Sequence, residues 1–355
     1  MTATAANPVG VVVIGRNEGE RLRHCLESVV NRAAAVVYTD SGSTDGSVAL
    51  AESLGVEVVE LDLSVPFTAA RARNEGFVRL QQVLPEVAYV QMVDGDCEVV
   101  EGWLETAVAY LEANPKFAVA CGRRRERFPD ATVYNRLADM EWDTPIGMAQ
   151  SCGGDALFRS EALREVGGYN PKVIAGEEPE MCVRLRQAGW LIERLDAEMT
   201  LHDANMTSFN QWWKRNVRAG HAYAQGAHMH GKTDGHNVKQ VRSIAFWGMA
   251  VPTGIVITST AGLLITLWGI PSVGLVLVGL AILGVMGFVL LALKVQRYRR
   301  RLGDDRKSAA IYGDFTAIGK LPNAIGVCKF HWNRLRNKQS ILIEYKPPAE
   351  GGIPA

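Results

Sequence analysis

The feature that most limits the fold lies late in the chain. Residues 243–293 contain no Asp, Glu, Lys or Arg, an uncharged run of 51 residues in a 355-residue sequence. One bilayer span takes roughly 20 mostly apolar residues, so the run is long enough for two spans and a short turn. It predicts a helical hairpin over 244–293, with spans at 244–266 and 272–293 joined by LWGIP. Two buried core helices of a soluble protein are the alternative. Pro252, Gly254, Gly262, Gly274, Gly279, Gly284 and Gly287 would let the two helices approach closely.

Charge on either side of the run gives an orientation. Arg242 precedes it, Lys294, Arg297, Arg299, Arg300 and Arg301 follow it, and the turn carries no charge. Positive residues at both outer ends place both ends in the cytoplasm. The chain is neutral as a whole, but residues 294–346 hold 13 Lys/Arg against 4 Asp/Glu, a net of +9. With Glu350 beyond them, everything before residue 243 carries −8. An acidic body is therefore followed by a basic tail, and the segment KLPNAIGVCKFHWNRLRNKQ is expected to lie on an anionic inner leaflet. No nucleic acid is expected among the partners. Cys25, Cys97, Cys121, Cys152, Cys182 and Cys328 stand far apart, with no CxxC or zinc-like spacing, as reduced cysteines of a cytosolic domain would. MTATAANPVG lacks the pattern of a signal peptide. The expected location is the inner, cytoplasmic membrane with the body and the tail facing the cytoplasm.

The body reads as α/β. Short β-branched runs at 9–14, 36–39, 56–61 and 89–93 alternate with helical spacing at 22–30, 47–54 and 71–81. That alternation predicts a mostly parallel sheet, whose ligands sit beyond the carboxyl ends of the strands. The residues there are Gly15-Arg16-Asn17-Glu18, then Asp40-Ser41-Gly42-Ser43-Thr44-Asp45-Gly46, then Asp94-Gly95-Asp96. All three loops are polar, glycine-rich or acidic. Asp94 and Asp96 can both reach a divalent cation and a nucleotide, and Mg²⁺ and Mn²⁺ favour such oxygen ligands. Further on, Gly153-Gly154-Asp155 precedes an apolar stretch, and 177–188 returns to helical spacing.

Taken in order, VVVIGRNEGERLRHCLESV, YTDSGSTDGS, TAARARNEG, VQMVDGDCEVVEGW, CGGDALFRSEALREVGGYN and GEEPEMCVRLRQAGW resemble the family 2 glycosyltransferases. The resemblance implies a GT-A fold, a Rossmann-like nucleotide-binding sheet, over residues 1–230. A juxtamembrane linker at 231–243, the hairpin at 244–293 and a basic interfacial tail at 294–355 would follow. It implies an inverting transfer from a UDP- or GDP-sugar, with Mn²⁺ or Mg²⁺, to a lipid-linked or glycan acceptor in cell-envelope or exopolysaccharide synthesis. Arg16, Asn17 and Glu18 would help hold the donor, and Asp40 would read its base. Arg73 and Asn74 would lie near the phosphates, Asp94 towards the ribose and Asp96 on the metal. Gly153, Gly154 and Asp155 would flank the donor sugar and the acceptor, and His202 matches a late histidine that completes the metal site in such enzymes.

The family shows Glu-Asp at the catalytic base, and this chain has Glu177-Glu178. Either carboxylate can take the acceptor's proton, and Glu178 falls on the base position. His202 has a second reading as a structural histidine. The run from Arg123 to Arg127 reads as a solvated charge cluster or as a grip on an acidic acceptor. Gln211, Trp212, Trp213 and Arg215 are similar to the Gln-x-x-Arg-Trp motif of processive synthases but depart from it, which favours a helix at the headgroup level or on the acceptor side. A polyprenyl-phosphate glycosyltransferase and an inactive nucleotide- or lipid-binding scaffold are the rival functions.

Overall fold

The computed structural model describes residues 8–338, and the end of the tail expected at 294–355 lies outside them. The chain divides into two units, at Thr207/Ser208, whereas the sequence places the end of the first domain at 230.

In the first unit the β-branched runs become strands, and those at 9–15, 35–40 and 89–94 are buried on both faces. β1 (Val9–Gly15) is followed by α1 (Glu20–Glu27), β2 (Ala35–Asp40), α2 (Ser47–Ser53), β3 (Glu57–Glu60), α3 (Ala69–Val83) and β4 (Tyr89–Asp94). Then come β5 (Cys97–Val99), α4 (Trp103–Ala113), β6 (Phe117–Glu126), α5 (Val133–Trp142), β7 (Gly147–Met148), β8 (Ala156–Arg159), α6 (Ser160–Glu165), α7 (Glu177–Gln187) and β9 (Leu191–His202). The sheet runs β3-β2-β1-β4-β8-β6-β9-β5, with β7 also on β9. Its first four strands are parallel, with Val12 opposite Val37 on one side and Met92 on the other. Beyond them the sheet is mixed rather than mostly parallel: β6 and β9, its longest strands, run parallel, and the other four pairings are antiparallel. β8 is antiparallel to both β4 and β6, and β5 and β7 are antiparallel to β9. These strands are two to four residues long, too short to show a period in the sequence.

Helix ends follow local chemistry. Thr68 caps α3 by accepting the Arg71 N–H, and Thr132 caps α5 by accepting that of Asn135. Helix α3 lies close on the sheet because Gly76 has no Cβ: one there would stand 2.5 Å from Thr39 Oγ1 and Val12 Cγ1.

The second unit is helical: α8 (Phe209–His230), α9 (Val238–Ile244), a π segment (Ala245–Ala250), α10 (Val251–Leu267), α11 (Pro271–Arg301), α12 (Arg306–Ile318) and α13 (Lys320–Leu335). Two helical stretches, Val238–Leu267 and Pro271–Arg301, are long and apolar enough to cross a bilayer. They pack through small residues: a Cβ on Gly262 would stand 2.8 Å from the Gly274 carbonyl, and one on Gly284 2.6 Å from Ile255. Gly254 and Gly279 face open space and take no part in such contacts. Ala324, Val327 and Phe330 on one side of α13 are buried in one cluster with Ala224 of α8 and Ile244 of α9, while Ile325, Trp332 and Leu335 stay exposed.

Candidate active site

The loops after β2, β1 and β4 are neighbours, and the first two are knitted together. Asn17 donates its N–H to Ser43 Oγ (2.8 Å) and accepts the Thr44 N–H on Oδ1 (2.7 Å), while Gly19 N–H reaches Asp45 Oδ2 (3.0 Å). Asn17 adopts a positive φ of 54°, which asparagine tolerates better than most residues. Asp40 is buried and accepts from the Tyr38 hydroxyl (2.7 Å) and from the N–H groups of Gly42 (2.8 Å) and Ser43 (2.7 Å). Both its oxygens are thus engaged in shaping the loop. Arg16 lies 4.7 Å over the Phe67 ring, and Glu18 pairs with Arg21 at 2.9 Å.

Arg73 is the hub of the site. Only 2% exposed, it reaches Asp94 (2.7 Å) with Nη2 and both Glu177 (2.9 Å) and Glu178 (2.8 Å) with Nη1. Helix α3 thereby ties the end of β4 to the start of α7. Asn74 faces away from this cluster: its amide donates to the Tyr169 carbonyl (2.7 Å) and accepts the Tyr169 N–H (2.8 Å). It clamps a loop, and the Tyr169 ring in turn lies 5.5 Å from the Arg73 guanidinium.

Asp155 is fully buried. It accepts the Asp94 N–H (3.1 Å), the Thr200 hydroxyl (2.7 Å) and an Arg124 N–H (2.7 Å). It therefore braces the carboxylates in front of it. Gly154 must lack a side chain, because a Cβ there would stand 2.8 Å from both Arg73 Nη2 and Asp94 Oδ2. Gly153 faces open space.

The two acids of α7 differ in burial. Glu177 keeps 4% of its side chain exposed and Glu178 keeps 12%. Burial and the Glu177 charge push the Glu178 carboxyl up to about 7, against the pull of Arg73. A carboxylate with that value suits proton removal at neutral pH.

Asp96 and His202 form the second cluster. Both are buried, with Nε2 3.3 Å from Asp96 Oδ2. His202 Nδ1 is buried without a hydrogen-bond partner. Asp96, His202 and Cys97 each offer an atom within 4.8 Å of the others, as a metal site requires. The Cys97 thiol is pushed well up by burial and by Asp155, so it stays neutral and suits a hard cation poorly. Arg73 and Arg124 face Asp94, Asp96, Asp155, Glu177 and Glu178 in these two clusters, an excess of acid that a divalent cation would offset. A carboxylate oxygen beside an imidazole nitrogen fits Mn²⁺ or Mg²⁺.

A family model described as "Glycosyl transferase family 2" matches residues 10–167. The match covers 158 of the chain's 355 residues. Curated relatives agree: a pre-mycofactocin glycosyltransferase of Mycobacterium tuberculosis is 25% identical over 256 residues, 65% of this chain and 52% of the relative. The chain thus spans about half the length of that relative. An uncharacterized glycosyltransferase of Rickettsia bellii is 39% identical over 59 residues, 17% of this chain and 20% of the relative. Among solved structures, a mannosyltransferase of Pyrobaculum calidifontis in complex with GDP-Man and Mn²⁺ superposes with a TM-score of 0.56. It shares 15% identity over 93% of this chain and 89% of its own, a likeness of fold. The chain has the GT-A fold.

Several features of the site were hidden in the sequence. The run from Arg123 to Arg127 is neither a solvated cluster nor an open grip. Arg123 and Arg125 pair with Asp139 on one face of β6, Arg127 pairs with Glu98, and Arg124 points into the site over Trp142 (5.4 Å). The two-residue alternation of a strand within RRRE was the available signal. Gln211, Trp212, Trp213 and Arg215 belong to the second unit. There Gln211 closes a capping box with Ser208, and Trp212 is buried edge-on against Phe315 at 4.9 Å. Trp212 is therefore helix core rather than a headgroup anchor, while Trp213 is half-buried.

Proposed function

We propose that this protein is a membrane-anchored, metal-dependent inverting glycosyltransferase that passes a sugar from UDP or GDP to a lipid-linked acceptor. One observation carries the reading: Arg73 joins Asp94, beside the Asp96–His202 pair, to a Glu178 carboxyl pushed up to about 7. Donor-side and acceptor-side chemistry thus share one buried network. Asp96 and His202 would hold Mn²⁺ or Mg²⁺, which when bound supplies positive charge against the departing diphosphate. Glu178 takes the proton of the acceptor hydroxyl as that oxygen bonds to the anomeric carbon. The bond from that carbon to the diphosphate breaks on the opposite side, so configuration inverts. Glu177 stays on Arg73 and keeps the guanidinium in place. Asp155 and Arg124 hold Asp94, and the loop at Arg16, Asn17, Glu18 and Asp40 shapes the nucleotide end.

The two apolar helices serve as the anchor in the inner membrane, with both ends of the hairpin cytoplasmic, where nucleotide sugars are made. A lipid-linked acceptor is favoured over a soluble glycan by an apolar cavity of about 660 Å³ in the second unit. Trp213, Met249, Leu321, Ile325 and Trp332 line it, with Lys329 for an anionic headgroup. The test uses the full chain in detergent, with UDP- and GDP-sugars as donors. Release of nucleoside diphosphate should need Mn²⁺ or Mg²⁺, stop in Asp96→Ala, and be fastest with a polyprenyl-linked saccharide. Turnover that survives chelation overturns the metal role. Efficient use of bare polyprenyl phosphate would make it a lipid-sugar synthase, and nucleotide binding without transfer to any acceptor would make it a scaffold.

A further inference from the structure

The cation site has a second layer. We propose that Glu126 is a positioning residue that fixes the tautomer and the orientation of His202, so that the Nε2 lone pair faces Asp96 and its cation. The inference rests on the reading of Asp96 and His202 as the cation's ligands, and it extends that reading to a residue with no expected role.

The sheet builds this arrangement. On β9, His202 pairs with Cys97 of β5 on one side and with Glu126 of β6 on the other. Asp96, one residue before Cys97, therefore lies at one edge of the imidazole and Glu126 at the other. The distances agree: Nε2 is 3.3 Å from Asp96 Oδ2, and Nδ1 is 3.6 Å from Glu126 Oε2. Nδ1 is buried and has no hydrogen-bond partner. A buried donor left unpaired is costly. The carboxylate in front of it is close enough to accept its proton after a shift of the ring by a few tenths of an ångström.

Glu126 is held firmly. Its Oε2 accepts the Ala204 N–H (3.1 Å), and its Oε1 accepts the Phe128 N–H (3.2 Å) and the Asn135 side-chain amide (3.3 Å). Asn135 is itself fixed, since its Oδ1 accepts the Met206 N–H at 3.1 Å. The Trp142 ring stands edge-on to the imidazole at 4.7 Å and 87°, which blocks rotation of His202. With a cation shared by Asp96 and Nε2 the ring proton must sit on Nδ1, and a carboxylate facing that nitrogen favours this tautomer. Metal-bound histidines commonly donate their other ring N–H to such a group. A neutral amide at position 126 could instead donate to Nδ1, which would put the proton on Nε2 and block it as a ligand.

The test needs no turnover. Mn²⁺ is titrated into the full chain in detergent, without donor or acceptor, and free Mn²⁺ is read by electron paramagnetic resonance. Glu126→Gln should weaken Mn²⁺ binding roughly 10- to 100-fold with the melting midpoint retained. In a His202→Ala background the same change should have no further effect, because Glu126 acts through His202. Two losses that simply add would overturn the inference. If Asp96→Asn abolishes binding while Glu126→Gln binds as the parent does, the cation site stands and the role of Glu126 falls. If neither variant changes binding, the cation site itself is wrong, and the inference falls with it. Should Glu126→Gln not fold, Asn135→Ala removes one of the carboxylate's donors; it should weaken Mn²⁺ binding in the same direction, and parent-like binding refutes the inference.

Discussion

Replacing Glu178 by Gln should make the protein more stable at pH 8 and nearly inactive. The ordinary glutamate value of 4.5 is pushed up to about 7 here by burial and by Glu177, despite Arg73 at 2.8 Å. Ionising the side chain in the folded state therefore works against folding. Each pKa unit is worth about 1.4 kcal/mol, so the shift corresponds to about 3 kcal/mol. Because the folded value lies above the unfolded one, the associated stability is complete below pH 4.5 and is lost as pH rises through about 7. Gln has the same shape and carries no charge to desolvate. It should leave the melting midpoint unchanged near pH 4.5 and raise it at pH 8 by roughly 6–12 °C for a unit of this size. Transfer should fall roughly 10²–10⁴-fold, and in the parent the pH–rate profile should climb through about 7 as the base loses its proton. Melting curves at the two pH values, with kcat/KM measured alongside, decide the matter. A Gln variant that is less stable at pH 8 would mean that pairing with Arg73 outweighs desolvation, and the argument for Glu178 as base would fail. Full activity would refute it outright.

The neighbouring acid should behave differently: Glu177→Gln keeps its contact with Arg73 and should cost less transfer than Glu178→Gln, and the reverse ranking moves the base to position 177. Gly154→Ala should lower kcat/KM by roughly 10²-fold, since the new methyl group would stand 2.8 Å from both ends of the Arg73–Asp94 pair, whereas Gly153→Ala meets open space and should be silent. Equal effects would show that the pair is free to move. Cys328 lines the apolar cavity and is the exposed one of the six cysteines. A bulky maleimide should slow transfer to a long-chain lipid acceptor several-fold more than to a short soluble analogue, and Cys328→Ser should abolish the effect. Equal slowing with both acceptors would exclude the cavity from acceptor binding.

The parallel half of the sheet was legible because β1, β2 and β4 are β-branched runs followed by polar loops, and nothing local competes with that pattern. The other half was not. β6 ends in RRRE and β9 has four charged residues among twelve, so both look like surface until the sheet places Arg124 and Glu126 on its inner face. Asp94, Asp96 and Glu178 were readable from motif order as candidates. The pairings around them were not, because Arg73 with Glu177, Asp155 with Thr200 and His202 with Glu126 join residues far apart in the sequence. Gln211 and Trp212 show the opposite error. A motif-like stretch proved to be a helix cap and a core aromatic, since capping and packing use the same residue types as ligand binding. Glycines also carried meaning that only packing reveals. Gly154 is required by the ion pair beside it, while Gly153 next to it meets nothing.

The central claim is that a cation at Asp96 and His202 and a base at Glu178 flank one donor sugar. Diffraction from crystals of the full chain grown with Mn²⁺ and an unreactive UDP- or GDP-sugar, recorded at the manganese absorption edge, tests it most directly. The account predicts an anomalous peak bonded to an Asp96 oxygen and to His202 Nε2, against the donor's diphosphate, with the Glu178 carboxylate across the anomeric carbon from the leaving oxygen. A cation bound elsewhere, or a donor whose anomeric carbon faces away from Glu178, would contradict it.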